Sequence, residues 1–481
     1  MRGLATALRA AALVLALGPV PPAAAQQQAL QQRVEARLSE AGPGIRFGLV
    51  VAAEDGRELI AIAPDSRFIP ASNTKMFTTA AAFATLRDLE RPDSAGGAAV
   101  RLEGEGRTGW DAVLEGHGDA RLSSAPDCAV NCLATLADAV AARTRRVRDV
   151  VGDDSFFPDQ RWSPGMSWNN IHTRSGTGIS ALSLDDNELH LRVSPTTAGR
   201  PPRLEFLPYY VIDNRAVTVA AGGATSLDFD RLPGSNVLRL TGTIAMGAGP
   251  ELLRLGIDDP AHYAAWRFRA LLEARGVRVT GAVAVRHRPL GPAADPAAPR
   301  PEPLARLAPP PLAEDLAQIN KASQNLHAEL MLRRLGRQSG TGSIADGVAV
   351  VRAMLDEAGL RRTDYDFSDG SGMSTYNRLA PRGVVRFLRW AAARPWGAAW
   401  RATLPIAGVD GTLARRFRGT ALESRLFAKT GTLNATAALS GYMIARSGRT
   451  LIFSSYANDI PDGAAAAEAM DAALILIAEQ N

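Results

Sequence analysis

The sequence has 481 residues, of which 46% are hydrophobic and 21% are charged. Such a chain is long enough for two or three domains with substantial cores, and this composition argues against global disorder. The formal net charge of +5 is small, and the arginines are scattered, with no basic block that contains interleaved aromatic residues. Nucleic-acid binding is therefore not predicted.

The first residues have the pattern of a secretory signal peptide. Arg2 and Arg9 precede the apolar run 10–17, and small residues follow at 23–25. A positive segment, an apolar segment and a small-residue cleavage site in this order are typical of exported proteins. The apolar run is too short to span a bilayer, and no later stretch is long and apolar enough to do so. We expect cleavage after Ala25 and a mature chain without a stable membrane anchor.

The two cysteines and six histidines give little sign of a metal site. Cys128 and Cys132 are four residues apart, and export permits a disulfide between them, although two buried thiols fit equally well. The histidines form no cluster with the spacing of metal ligands. No metal and no cofactor are predicted.

The two ends of the chain predict one α+β domain. Helical spacing covers residues 29–41, and the strands 46–53 and 57–63 flank a turn at Glu54-Asp55-Gly56. Near the other end, strands are predicted at 426–429, 437–445 and 450–456, followed by an Ala-rich helix at 462–479. These elements can form one antiparallel sheet with both terminal helices packed on a face.

The middle of the chain predicts an inserted region of one or two small, mostly β domains. Its clearest helices cover 133–144 and 259–275, and short strands fill 188–256. The Pro-rich stretch 290–311 has the composition of an extended return linker. The expected division, after the signal peptide at 1–25, is a catalytic domain at 26–97 and 305–481, an inserted domain II at 98–187 and 257–304, and a nested domain III at 188–256.

The strongest local feature is a serine and a lysine one helical turn apart. Ser72 opens a run of small and apolar residues, and Lys75 lies three positions later, on the same face of the predicted helix. A buried lysine can lose its proton and take one from the serine, which makes a nucleophile–base pair without histidine. A helix cap followed by a surface lysine is the alternative explanation for this pair alone.

Two further motifs follow in order. Ser323-Gln324-Asn325 lies at the start of a helical run, where its hydroxyl and amide can pass a proton and hold a substrate amide, or simply cap the helix. Lys429-Thr430-Gly431-Thr432 lies between strand-like segments, where it can bind a carboxylate and accept a peptide as an added strand, or simply form a turn. Each motif is weak alone, but all three in this order indicate acyl-transfer chemistry.

The three motifs resemble those of the penicillin-binding proteins and serine β-lactamases, which share S-x-x-K, S-x-N and K-T-G. Ser72 and Ser323 are separated by more than half of the chain, and this large insertion resembles the class C low-molecular-mass penicillin-binding proteins, the D-alanyl-D-alanine carboxypeptidase/endopeptidase family. Other blocks extend the resemblance over nearly the whole mature chain: 70–79, 151–157, 180–187, 369–374 and 404–413.

The resemblance implies a role for each motif. Ser72 would attack the carbonyl of the penultimate D-Ala, Lys75 would be the general base, and Ser323 with Lys429 would relay the proton to the leaving D-Ala. Asn325 would hold the substrate amide. The segment Thr430, Gly431 and Thr432 would bind the substrate strand or its terminal carboxylate. The partners implied are peptidoglycan stem peptides and β-lactam antibiotics, with a periplasmic location; a homodimer is compatible with the family.

Four further residues are less directly indicated. Asp369 and Ser371 either contact substrate or form a turn within D-G-S-G. In the family, an acidic group of the insertion can hold the amine of a diaminopimelate side chain. Asp153 and Asp159 are candidates for that group, and a solvated loop carboxylate is the alternative for each.

The sequence leaves other classes of function open. A β-lactamase would share the acylation chemistry but needs a device for rapid deacylation, and no such motif is visible. A catalytically silent cell-wall scaffold would not require a nucleophile with a base. A Ser-His-Asp hydrolase would need a G-x-S-x-G elbow, which the sequence lacks.

Overall fold

The computed structural model describes residues 23–105, 109–291 and 300–481. Most of the predicted signal peptide, and residues 292–299 of the predicted linker, therefore lie outside the described residues. In chain order the helices are α1 Ala23–Ser39, α2 Thr74–Thr85, α3 Leu133–Arg143, α4 Pro260–Ala274, α5 Leu312–Lys321, α6 Asn325–Arg337, α7 Ile344–Glu357, α8 Pro381–Ala392, α9 Gly397–Ala402 and α10 Ala466–Gln480.

The strands are numbered in the same way. They are β1 Arg46–Ala53, β2 Glu58–Ile62, β3 Ala99–Glu105, β4 Gly109–Glu115, β5 Arg146–Val147, β6 Val150–Pro158, β7 Glu188–Ser194, β8 Arg203–Glu205, β9 Val211–Asn214, β10 Val217–Val219, β11 Ser226–Asp230, β12 Val237–Ala245, β13 Glu251–Gly256, β14 Arg278–Val279, β15 Val283–Arg288, β16 Ala305–Arg306, β17 Tyr365–Asp366, β18 Arg378–Leu379, β19 Leu426–Leu433, β20 Thr436–Ile444 and β21 Thr450–Asn458.

One antiparallel sheet joins the two ends of the chain. Its strand order is β19–β20–β21–β1–β2, so the N-terminal hairpin pairs with the C-terminal strands through β1 and β21. Helices cover both faces of this sheet. Successive residues of β1 point to opposite faces, so Val50 packs with the helices that include α2 and α8, whereas Val51 packs with α1 and α10. The predicted α+β class, with an antiparallel sheet between helices, is confirmed.

The inserted region has its own sheets and its own core. One sheet has the order β15–β6–β4–β3–β16, and α3 and α4 pack against it. Smaller sheets follow from the short strands: β13–β7–β8, and β10–β12–β11 with β9 also paired to β12. These sheets are compatible with the expected division into domains II and III, whose boundaries remain a prediction.

Local signals in the sequence explain the limits of α4. Asp259 caps its N-terminus, since its carboxylate accepts a hydrogen bond from the backbone N–H of His262 at 3.0 Å. Pro260 occupies the first helical position, where no backbone donor is needed, and Gly276, with a φ of +75°, lies just past the end. The predicted helix at 259–275 is thus confirmed.

Of the two alternatives for the cysteines, a disulfide or two buried thiols, the structure contains the disulfide. Cys128 and Cys132 are joined directly before α3. No helix in the described ranges is long and apolar enough to cross a membrane.

Candidate active site

Ser72 lies where the chain enters α2. A 3-10 turn, Ala71–Asn73, leads directly into that helix, so the hydroxyl of Ser72 lies at the positive end of the helix dipole. Ala71 adopts a left-handed φ of +47°, an unfavourable conformation for a residue with a side chain. Ser72 itself is half-buried, whereas Asn73 and most of the first turns of α2 are buried. The serine hydroxyl is therefore held at the accessible surface of an otherwise closed site.

Lys75 contacts that hydroxyl from inside the protein. Its Nζ is 2.9 Å from Ser72 Oγ, 2.6 Å from Asn325 Oδ1 and 2.6 Å from the carbonyl oxygen of Ser371. The side chain is fully buried. Burial lowers the pKa of Lys75 to about 7, although Asp369 and Glu329 favour its charged form. A substantial fraction of Lys75 is therefore neutral near physiological pH and able to accept a proton.

Lys429 is a second buried lysine at the same site. Its Nζ is 3.0 Å from Ser323 Oγ and 3.0 Å from the carbonyl oxygen of Thr430. Burial and the proximity of Lys75 hold the pKa of Lys429 well below its usual value. Ser323 has a left-handed φ of +60° in the turn between α5 and α6. Its hydroxyl contacts Lys429, and the residue that caps α6 is Gln324.

Asn325 joins Lys75 to the inserted region. It is the first residue of α6, and its Oδ1 accepts the short hydrogen bond from Lys75. Its Nδ2 donates to the carbonyl oxygen of Ser175 at 2.9 Å. The S-x-N motif therefore contacts both the catalytic helix α2 and the loop of the insertion that faces it.

The strand that carries K-T-G forms one wall of the site. β19 is an edge strand, as predicted, but it continues through Leu433 rather than ending at Lys429. Gly431 permits the close approach, because a Cβ at this position would lie 2.6 Å from the carbonyl oxygen of Pro70 and 3.1 Å from the amide nitrogen of Ser72. Thr432, one residue later, is exposed.

The neighbouring segment 404–413 braces this wall. The hydroxyls of Thr412 and Thr430 are 2.7 Å apart, and Ile406 forms an isolated bridge with Phe427 of β19. Thr430 is half-buried and faces the accessible side of the strand.

Asp369 and Ser371 lie in a buried loop behind the serine. The carboxylate of Asp369 accepts hydrogen bonds from the backbone N–H groups of Gly372 and Ser374, at 2.9 and 2.6 Å, and from Asn377 Nδ2 at 2.6 Å. Both Asp369 and Ser371 are 1% exposed. The loop contacts Lys75 through the Ser371 carbonyl, and a substrate contact by either side chain remains a prediction.

The buried pair Glu329 and Arg333 was missed in the sequence. Glu329 Oε1 accepts hydrogen bonds from the backbone N–H groups of Gly370 and Ser371, at 3.0 and 2.8 Å. Burial and the nearby Asp369 raise the pKa of Glu329 to about 7. Burial lowers the pKa of Arg333 to about 10. Their spacing from Asn325, at i+4 and i+8, was the available signal, since it puts all three on one helix face.

His327 binds the insertion to the catalytic helices. Its Nε2 is 2.9 Å from Asp186 of the insertion, and its Nδ1 is 3.5 Å from Asp315 of α5. Burial lowers the pKa of His327, but the two carboxylates outweigh it and raise the pKa to about 9. This contact lies two residues after Asn325 and fixes the insertion beside the site.

The acidic candidates of the insertion are engaged with arginines. Asp153 is 2% exposed and accepts hydrogen bonds or ion pairs from Arg286 at 2.9 Å and Arg300 at 3.2 Å. Asp159 is more accessible and pairs with Arg161 at 3.0 Å. A substrate contact by Asp153 or Asp159 remains a prediction.

A groove of about 660 Å³ opens along the end of β19. It lies between the insertion loop and the catalytic domain. Its lining residues in the described part of the chain are uncharged: Ile69, Ser167, Asn169, Asn170, Ser175, Met373, Thr375, Thr432, Leu433, Asn434 and Thr436. Amides, hydroxyls and a few apolar side chains suit a peptide with both polar and apolar parts. Within the described ranges no group of histidine, cysteine and acidic residues could hold a metal ion.

The chain is similar to known carboxypeptidases over almost its whole length. The model of the D-Ala-D-Ala carboxypeptidase 3 (S13) family matches residues 30–480. A D-alanyl-D-alanine carboxypeptidase of Actinomadura sp. (strain R39) is 34% identical over 94% of this chain and 84% of its own length. The carboxypeptidase DacB of Haemophilus influenzae is 25% identical over 87% of each chain.

Solved structures show the same fold. The crystal structure of penicillin binding protein 4 (dacB) from Haemophilus influenzae aligns with a TM-score of 0.78 and 22% identity, over 92% of this chain and 98% of that one. The family model and the Actinomadura relative each cover almost the whole sequence, as the further blocks that resemble the family predicted. The chain therefore belongs to the D-Ala-D-Ala carboxypeptidase (S13) family of serine-type peptidases.

Proposed function

We propose that Ser72 is the nucleophile of a DD-peptidase that cleaves D-Ala-D-Ala termini, D-Ala-diaminopimelate cross-links, or both, in peptidoglycan. The contact that carries the proposal is the 2.9 Å hydrogen bond between Ser72 Oγ and the fully buried amine of Lys75. A buried lysine that is partly neutral near pH 7 is a suitable general base for a serine hydroxyl. Family membership supports the substrate class.

Acylation begins when Lys75 takes the hydroxyl proton of Ser72. The serine oxygen attacks the carbonyl carbon of the penultimate D-Ala, and a tetrahedral intermediate forms. The backbone N–H groups of Ser72 and Thr432 would stabilise its oxyanion, a contribution of about 3–4 kcal/mol per donor in acyl transfer. The close approach that Gly431 permits supports this pairing of donors.

Collapse of the intermediate breaks the peptide bond. The leaving amine takes a proton through Ser323 and Lys429, whose 3.0 Å contact supports a relay. Asn325 holds the substrate amide, and Thr430 with Thr432 binds the terminal carboxylate or the substrate strand along β19. Water then hydrolyses the ester of Ser72 and returns the enzyme to its starting state.

β-Lactams are expected to acylate Ser72 in the same way and to remain bound. A second crystal structure of penicillin binding protein 4 from Haemophilus influenzae, complexed with a novel beta-lactam, aligns with a TM-score of 0.71 and 21% identity. The predicted signal peptide at 1–25 supports action in the periplasm, on peptidoglycan stem peptides, and a homodimer is compatible with that role. Asp153 or Asp159 would meet a charged group of the stem peptide.

The test is acylation by a fluorescent penicillin, compared among the wild type, Ser72→Ala and Lys75→Ala. We expect stable labelling of the wild type, none in Ser72→Ala, and labelling slowed by at least about a hundredfold in Lys75→Ala, since general-base catalysis contributes roughly that factor or more. Ser447→Ala is a matched control, because Ser447 is exposed in the β20–β21 turn.

Three outcomes distinguish the alternatives. Rapid turnover of the drug would identify a β-lactamase instead. A folded wild type that is not labelled would favour a non-catalytic cell-wall protein. Release of D-Ala from a pentapeptide, compared with cleavage of a cross-linked muropeptide dimer, measures the balance between carboxypeptidase and endopeptidase activity.

A further inference from the structure

One face of α6 carries a line of polar residues into the site. Asn325, Glu329 and Arg333 are spaced by four residues, so their side chains lie above one another on the same face. Asn325 contacts Lys75 directly, whereas Glu329 and Arg333 are 5% and 2% exposed. A buried acid and a buried base directly behind a catalytic lysine need a physical reason, because desolvating charged groups is costly.

Glu329 reaches the lysine base through two peptide groups. Its Oε1 accepts hydrogen bonds from the N–H groups of Gly370 and Ser371, and the carbonyl oxygen of Ser371 accepts a 2.6 Å hydrogen bond from Lys75. The other carboxyl oxygen, Oε2, is buried and has no hydrogen-bond partner in the described part of the chain. An unpartnered buried oxygen is tolerated far better on a protonated carboxyl than on a carboxylate.

The surrounding charges leave one proton to be shared. Arg333 remains positive, and Asp369 accepts three hydrogen bonds, as suits a carboxylate. Those two charges offset each other. Burial and the proximity of Lys75 hold the pKa of Lys429 well below its usual value. Lys75 and Glu329 then share one proton, which lies on Lys75 when Glu329 is ionised and on Glu329 when Lys75 is neutral.

We propose that Glu329 is a positioning residue whose negative charge raises the pH below which Lys75 is protonated and stops acting as the base. This proposal rests on the proposed role of Lys75 in the acylation of Ser72. As an anion, Glu329 favours the ammonium form of Lys75; as a neutral acid, it leaves Lys75 free to accept the serine proton. Burial raises the pKa of Glu329 and lowers that of Lys75, both to about 7, so the two groups exchange the proton near neutrality.

Replacing Glu329 by glutamine removes the negative charge while keeping an oxygen for the two N–H groups. Without that charge, Lys75 loses a group that favours its protonated form, and its pKa falls. The acid limb of the acylation rate should therefore move to lower pH by about one unit, the lower end of the shift caused by a nearby opposite charge. Below the wild-type limb, Glu329→Gln should react up to roughly ten times faster than the wild type.

The experiment measures the rate constant for acylation by a fluorescent penicillin across the acidic and neutral range. Glu357→Gln is the matched control, since Glu357 is exposed at the end of α7, and its profile should coincide with that of the wild type. A purely structural role for Glu329 predicts a lower rate at every pH with the acid limb unmoved, and that result would overturn the proposal. A wild type that is not acylated at Ser72 would instead refute the proposed function.

A second measurement covers the case in which Glu329→Gln does not fold. Infrared difference spectra of the wild type, labelled with ¹³C-glutamate, report protonated glutamic acid directly. We expect the signal of a protonated glutamic acid to disappear as the pH rises through neutrality, over the same pH range in which the acylation rate changes. If no protonated glutamic acid is detected at pH values where ordinary glutamates are already ionised, the proposal is overturned.

Discussion

Gly431→Ala tests whether β19 must lie directly against the backbone of Ser72. In the structure a Cβ at residue 431 would be 2.6 Å from the carbonyl oxygen of Pro70 and 3.0 Å from Cβ of Ala438. An ordinary C···O contact is about 3.3 Å or longer. The strand must therefore move away from Pro70 by about 0.7 Å, and Ser72 and Thr432, the two proposed oxyanion donors, move apart by a similar amount.

A displacement of this size has a calculable effect on the rate. A misplacement of about 1 Å in a catalytic arrangement costs roughly a hundredfold in rate. We expect Gly431→Ala to lower the rate constant of penicillin acylation by roughly 10- to 100-fold. Overpacking of this kind lowers the free energy of unfolding by about 1–3 kcal/mol, so the variant should remain folded.

The assay is a time course of fluorescent penicillin labelling, with thermal unfolding measured on the same samples. Gly247→Ala is the matched control, because a Cβ at residue 247 would meet no atom within 4 Å. The double variant Gly431→Ala/Ala438→Gly relieves the contact with Ala438 but not that with Pro70, so it should remain slow. Acylation of Gly431→Ala within about twofold of the wild-type rate would refute the required close approach.

Other residues give further expectations. Asn325→Ala removes the acceptor of a 2.6 Å hydrogen bond from Lys75 and should slow acylation by roughly 10- to 100-fold, since hydrogen bonds to charged groups contribute about 1.5–3 kcal/mol; a rate equal to that of the wild type would contradict this. The raised pKa of His327 predicts that stability, measured by urea unfolding, is fully present below about pH 6.5 and is lost as pH rises through about 9, whereas His327→Gln should lack this loss. The Cys128–Cys132 disulfide closes only a small loop, so its reduction should lower the free energy of unfolding by at most about 2 kcal/mol and leave the acylation rate unchanged.

The sequence predicted the scaffold and the catalytic motifs because both depend on local patterns. The hairpin 46–63, α4 and α10 follow from alternation, caps and helical spacing, and the family resemblance follows from three short motifs in order. β19 was predicted too short because Gly431 and Thr432 are common in turns; pairing with β20 along the whole strand overrides that preference.

The sequence could not predict which charged side chains are buried at the site. The i+4 spacing from Asn325 places Glu329 on the helix face of the motif, but it does not show that the carboxyl is buried, because that depends on a loop more than forty residues later in the chain. Similarly, the left-handed conformation of Ser323 and the contact of its hydroxyl with Lys429 across the site are visible only in the fold. Asp369 reads as a turn residue in the sequence, and only the fold shows that its carboxylate is enclosed by loop donors.

Two fully buried lysines at one site have a consequence for the direction of proton transfer. Since the proximity of Lys75 lowers the pKa of Lys429, a proton on Lys75 makes Lys429 a stronger acid, and a neutral Lys75 makes it a weaker one. In the proposed mechanism, a Lys75 that accepts the proton of Ser72 would therefore increase the tendency of Lys429 to donate through Ser323 to the leaving amine. Acceptance at one lysine and donation at the other would thus be linked by repulsion, which is strongest when both amines are buried, as they are here.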